Sequence, residues 1–328
     1  MKICIYGAGA IGGYIAAHLA RAGQCEVSVV ARGRTLEVIR ADGVTIVKRG
    51  ERFSVPVNAV EDPRGLGVQD YVIIALKVHQ LDAVLGDIST LIGPDTAIIP
   101  PNAGLPYWFL ENLPGPVASQ RLPRLDINGR QWATMPPRQV IAAPFWIGVH
   151  SLSPGVVELD GSRGTLPMGE LDGTTSPRLV RFSKLMGDAG IEAPISDNIH
   201  GEIWVKFVNA LCWNPTAILT LARLGEIDNS DGVADIVLKM MEEADRIGRE
   251  IGVKIEETPA ERIYKTLRGK MHKMSMLQDF ERNRPTELES LYTSLCTLKD
   301  LRTLPTPTLD TVYALARLRL AVREARGA

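Results

Sequence analysis

Lys2-Ile3-Cys4-Ile5-Tyr6-Gly7-Ala8-Gly9-Ala10-Ile11-Gly12-Gly13 is the stretch on which the fold turns. Residues 2–6 are an apolar run of strand length, and the glycines then recur as G-x-G-x-x-G. A helical pattern follows through Ala22, Gly23 stops it, and residues 26–31 form a second β-rich run. In this strand–turn–helix–strand context, Gly7 permits the tight turn and Gly9 lets the backbone approach a pyrophosphate. Gly12 allows the helix to pack close on the strand. Backbone N–H groups at the helix start, those of Ala10 and Ile11 among them, face the phosphates. A glycine-rich turn with no ligand is the plain alternative, and the complete unit favours a dinucleotide.

The second strand closes on Val30-Ala31-Arg32-Gly33-Arg34. An NAD site usually carries Asp or Glu there, to bond the ribose 2′-hydroxyl. Here no acid follows, and two guanidinium groups do. Arginine suits a 2′-phosphate through charge-assisted, bidentate bonds. The expected cofactor is NADP(H), with Arg32 as the main contact; a solvated surface arginine is the alternative.

Outward from this unit, further strands are expected over residues 44–48, 53–57, 71–76, 97–99 and 140–147. Residues 156–159 and 165–168 read as a late hairpin, 177–189 as a helix and 191–198 as a last strand and connector. Beyond about residue 200 helical patterns take over, at 202–224, 233–251, 260–276, 286–299 and 308–325. The fold class is α/β: a Rossmann-type dinucleotide-binding domain over residues 1–196, then an all-α substrate and catalytic domain over 197–328. Residues 111–138, rich in Pro, Gly and polar side chains, read as a mobile flap or as surface decoration.

Of the 328 residues 37 are basic and 38 acidic, so a net charge of −1 gives no electrostatic reason to expect nucleic acid or anionic membrane as partner. An apolar fraction of 45% suffices for a packed core and excludes a disordered chain. Cys4, Cys25, Cys212 and Cys296 lie far apart with no C-x-x-C pair, so reduced buried thiols are expected, without disulfides or metal. Neither H-E-x-x-H nor G-x-S-x-G occurs, which leaves metal chemistry and nucleophilic hydrolysis without a motif. No apolar run approaches the about 20 residues of a membrane span. Met1-Lys2 leads straight into the first strand with no signal peptide, and a cytoplasmic protein is expected.

Several short motifs then fall into line: Leu76-Lys77-Val78-His79-Gln80, Trp204-Val205-Lys206 with Asn214-Pro215, and Ser275-Met276-Leu277-Gln278-Asp279 followed by Arg284-Pro285-Thr286-Glu287. With the glycine motif they make the chain resemble the ketopantoate reductase (2-dehydropantoate 2-reductase) family over nearly its whole length. The resemblance implies NADPH-dependent reduction of a small 2-oxo acid, 2-dehydropantoate to (R)-pantoate, on the way to pantothenate and coenzyme A. A reductase of another 2-oxo acid or ketone, and a non-catalytic NADP(H)-binding regulator, are the competing readings. The oligomeric state stays open, a homodimer included.

By the same resemblance Lys206 is the catalytic lysine. On a helix turning about 100° per residue, Trp204, Phe207, Val208, Leu211 and Cys212 share one side and Lys206 points almost opposite. That makes a solvated lysine the plain reading, yet the surrounding face of Asn209, Ala210, Trp213 and Asn214 carries no other charge. Glu287 corresponds to the glutamate that accepts a bond from the substrate hydroxyl; near a helix start after Pro285, it would also simply suit the helix dipole. Ser275 corresponds to a binder of the substrate carboxylate. Asn214 could bond the substrate or merely end the helix before Pro215. Lys77, at a strand end, could neutralise cofactor or substrate charge or snorkel to solvent. Two positions depart from the family pattern. It has Asn where this chain has Ala210, with Asn209 one residue early. It has Gln-Asn where Asn102-Ala103 stand, beside the cofactor. Both put the identity of the substrate in question.

Overall fold

Along the chain come β1 (Lys2–Tyr6), β2 (Glu26–Val30), β3 (Val44–Lys48), β4 (Glu51–Val55), β5 (Asn58–Val60), β6 (Tyr71–Ile74), β7 (Ala97–Ile99), β8 (Ile141–Ala142), β9 (Val149–Ser153), β10 (Val156–Leu159) and β11 (Gly169–Glu170). The computed structural model describes residues 1–100, 104–159 and 164–326. It divides into one unit of Met1–Asn102 with Asn128–Ile199 and a second of Ala103–Ile127 with His200–Ala328.

The first unit is built on a five-stranded sheet in the order β5-β2-β1-β6-β7, parallel throughout. Ile3, Cys4 and Ile5 are fully buried, as a central parallel strand covered on both faces requires. The helix Ala10–Ala22 returns over the sheet and stops at Gly23, whose left-handed conformation (φ 68°) lets its N–H bond the Leu19 carbonyl. With β2 on one side of β1 and β6 on the other, the topology reverses at the carboxyl end of β1, the position where open α/β sheets bind ligands. A second sheet runs β4-β3-β10-β9.

Three local expectations are corrected here. The antiparallel partner of β10 is β9, while residues 165–168 make only isolated bridges, Thr165 to Trp146 and Glu192, and Met168 to Ile195. The run 140–147 yields only the two-residue β8. Residues 111–138 are neither flap nor decoration: Leu113, Val117, Leu122 and Met135 are buried.

The second unit holds the helices Ile199–Thr220, Val233–Glu250, Pro259–Leu267, Ser275–Glu281, Leu288–Leu301 and Pro307–Ala325. The order of the two architectures is the expected one, but the partition differs. Residues 103–127 join the helical unit, and the later crossing falls between Ile199 and His200. The reason is the aromatic content of the early segment. Trp108 and Phe109 are fully buried, and Phe109 lies 6.0 Å from Trp204 and 5.6 Å from His200, ring centre to ring centre. The single helix expected over 260–276 is two. Around Gly269 the chain turns out of helix, and the Lys270 and His272 carbonyls accept from Gly225 and Leu224 N–H instead.

Pro215 lies inside the helix Ile199–Thr220 without ending it. A proline cannot donate to the carbonyl four residues back. That carbonyl, of Leu211, accepts from the buried Tyr313 hydroxyl at 3.1 Å instead. The helix therefore does not stop at Asn214.

Candidate active site

In the first unit the glycine turn has the backbone geometry its spacing suggested. Gly7 sits at φ 109°, where L side chains are strained. A Cβ on Gly12 would stand 1.9 Å from the Gly7 carbonyl oxygen, so only glycine lets this helix approach this strand. Among the described residues a Cβ on Gly9 would meet nothing within 4 Å, so Gly9 faces open space that their packing does not need. The helix it opens has no acidic residue in its first turn and no side-chain cap, leaving the first N–H groups to a ligand. Open room above unclaimed donors fits a pyrophosphate, and Ala10 and Ile11 begin that helix.

Arg32 precedes the helix Gly33–Asp42 and is 60% exposed, paired at 3.4 Å with Asp87, a residue that nothing in the sequence marked. Lys77 is half-buried just past the end of β6 and precedes the short helix Val78–Leu81. Asn102 and Ala103 lie outside the described residues.

In the second unit Lys206 lies half-buried on the helix Ile199–Thr220. Burial of its ammonium draws the pKa down to about 8 from the ordinary 10.5, against the opposing pull of the Glu287 carboxylate. Lys206 and Glu287 are thus brought within each other's field. Glu287 immediately precedes the helix Leu288–Leu301, and Pro285 lies outside its first turn. Ser275 begins the helix Ser275–Glu281 and is exposed.

Three polar atoms on the Lys206 helix are buried without a hydrogen-bond partner among the described residues: Asn209 Oδ1, Trp213 Nε1 and Asn214 Oδ1. The Asn214 amide turns back to donate to the Ala210 carbonyl at 3.1 Å. Offsets of three, seven and eight residues keep all three near the Lys206 side of the helix. An unsatisfied buried polar atom costs about 1–3 kcal/mol, so three beside one ionisable amine mark a surface that a polar ligand would complete. Ala210 is half-buried and its side chain offers no polar atom.

The opposite side of the helix is keyed in place. Trp204 Nε1 donates to Asp245 at 3.0 Å, and Asp245 also pairs with the buried Arg262. The indole stands where a Cβ on Gly248 would be, 2.6 Å from its ring carbons. Asp245, Gly248, Arg262 and Asp87 escaped the sequence reading, and none of them leaves a local signal. Trp213, seven residues from Lys206, stood on the lysine's face in the sequence but was given no role there. Among the described residues no cluster of His, Cys, Asp or Glu could hold a metal ion, and no helix is long and apolar enough to cross a membrane. All four cysteines are free; Cys4 and Cys212 are buried, and Cys25 and Cys296 only half so.

With this geometry in hand, comparison with known proteins is decisive. The model of the family "Ketopantoate reductase PanE/ApbA" matches residues 3–173, and its C-terminal companion matches 198–320. The chain belongs to the ketopantoate reductase family. A 2-dehydropantoate 2-reductase of Mesorhizobium japonicum is 41% identical over 323 residues, covering 98% of both chains. Another, of Pyrococcus horikoshii, is 25% identical over 97% of both. The crystal structure of a candidate ketopantoate reductase from Ralstonia solanacearum MolK2 superposes with a TM-score of 0.90 at 37% identity, covering 98% of each chain. The first ketopantoate reductase model runs straight through residues 104–127, so the sequence family does not register that this segment packs in the helical unit.

Proposed function

We propose that the protein is an NADPH-dependent 2-dehydropantoate reductase, forming (R)-pantoate in the cytoplasm on a small-molecule substrate, with no nucleic-acid or membrane partner. The observation that carries this reading is the half-buried Lys206, its pKa drawn to about 8 beside Glu287. When bound, the nicotinamide supplies a hydride to C2 of the 2-oxo acid. The carbonyl oxygen then gains negative charge and requires a proton. A lysine poised near neutral pH supplies both an attracting charge as the oxyanion forms and the proton that quenches it. Glu287 accepts from the substrate hydroxyl and selects for it. Asn209, Asn214 and Trp213 offer unsatisfied polar atoms to orient the acid. Ser275 takes the carboxylate, and the glycine turn, Arg32 and Lys77 take the phosphates.

The test is NADPH oxidation with 2-dehydropantoate by the wild type and by Lys206→Ala. Wild-type turnover with loss in the variant supports the reading. Wild-type binding of NADPH with no turnover on any 2-oxo acid would leave a regulator. A second reading, reduction of another 2-oxo acid, is favoured by the apolar Ala210 and the displaced amide of Asn209. A substrate panel separates the two.

A further inference from the structure

The acid missing after β2 in the sequence is present there in space. Asp87, in the short helix Leu85–Ser89, receives a hydrogen bond from the Tyr6 hydroxyl at 3.0 Å and lies 3.4 Å from Arg32 Nη2. Tyr6 ends β1 and pairs in register with Val30 at the end of β2, two residues before Arg32. The carboxylate therefore lies at the carboxyl ends of the two strands where a dinucleotide fold reads the adenosine ribose. Burial and the bond to Asp87 push the Tyr6 pKa up to about 12, so its hydroxyl remains a donor and fixes the carboxylate's direction. Asp87 is 37% exposed and Arg32 60%, so both are within reach of a ligand from solvent. The field of Asp87 also reaches Arg64, itself bound to Asp62.

One place thus holds both recognition chemistries: a guanidinium suited to a 2′-phosphate and a carboxylate suited to a 2′-hydroxyl. We propose that Asp87 is a specificity-determining residue, accepting the ribose 2′-hydroxyl of NADH and opposing the 2′-phosphate that Arg32 attracts, so that the protein binds both dinucleotides with a narrowed preference for NADPH. This inference rests on the reading of Arg32 as the 2′-phosphate contact.

Calorimetric titration of wild type, Asp87→Asn and Arg32→Ala with NADPH and with NADH tests it without turnover. In Asp87→Asn the Kd for NADPH falls about three- to tenfold, equivalent to about 0.7–1.4 kcal/mol. The Kd for NADH rises, and the ratio of the two constants moves toward NADPH. An unchanged ratio overturns the proposal. So does weaker NADPH binding, which would show that the carboxylate only steadies Arg32. An exposed pair contributes little to stability, so Asp87→Asn keeps the wild-type Tm; Asp87→Ala removes the same charge and must move the ratio the same way. Arg32→Ala separates the two readings. If it weakens NADPH selectively while Asp87→Asn changes nothing, only the role of Asp87 fails. If it leaves NADPH binding untouched, the reading of Arg32 fails and takes this one with it.

Discussion

The two units solve the problem of holding a ligand in opposite ways. The sheet unit uses backbone: a left-handed glycine, a glycine too close to its neighbour for any Cβ, a glycine facing open space and a helix start without a cap. All lie within seven residues of one another. The helical unit uses side chains, and the groups that fix Lys206 come from far along the chain: Asp245, Gly248, Arg262 and Glu287. A backbone site is written in local spacing and can be read there. A side-chain site depends on tertiary partners, whose identities say nothing until the packing is known.

That contrast can be broken most forcefully at Lys206. Lys206→Ala lowers the reduction rate by about 10²–10⁴, the usual worth of a positioned acid, while the NADPH Kd holds, because the two functions live on different units. A joint loss of binding and rate would erase the distinction. Next comes Asp245→Ala, which leaves Arg262 buried and unpaired. It costs about 3–5 kcal/mol of stability, read as a fall in Tm and in denaturant midpoint. In the sheet unit Gly9 and Gly12 should part company. Gly12→Ala forces the helix off the strand and lowers stability by about 1–3 kcal/mol. Gly9→Ala, with nothing to collide with, leaves stability within about 0.5 kcal/mol and weakens dinucleotide binding.

The pH profile sharpens the helical side. The Lys206 pKa is lowered on folding, so the unfavourable burial of its charge is fully present below about 8 and is relieved as pH rises toward 10.5. Reduction needs the protonated amine and therefore declines as pH rises through about 8, while oxidation of the hydroxy acid, which needs the free base, increases through the same window. A flat profile for both would remove Lys206 from proton transfer. A purely structural effect is expected at Tyr313→Phe, which strips the buried Leu211 carbonyl of its substitute donor and costs about 1–3 kcal/mol of stability, read as a fall in Tm.

Much of the fold was legible because its signals are local. The central strands and the first helix follow directly from residues 2–31, and the long helices from their apolar spacing. The failures share one cause. The sequence puts residues 104–127 in the Rossmann-type domain because nothing nearby reveals that Trp108 and Phe109 are wanted by helices a hundred residues later. The helix expected through 260–276 broke because carbonyls at 270 and 272 had better partners at 225 and 224 than in their own helix. Asp87 was invisible because its meaning is its distance to Arg32 and Tyr6, which no spacing encodes. Lys206 and Glu287 were picked out by motif, but their mutual field and the unsatisfied amides around Lys206 needed coordinates.

The excursion of residues 104–127 into the helical unit has a price during synthesis. Trp108, Phe109 and Leu110 leave the ribosome about 200 residues before the end of their core is made. At about 5–20 residues per second they wait on the order of 10–40 s with apolar side chains unsheltered. A gene fragment stopping near residue 199 would never end that wait, which predicts that the N-terminal half expressed alone clumps or clings to chaperones, and that supplying residues 200–328 as a separate chain restores its solubility.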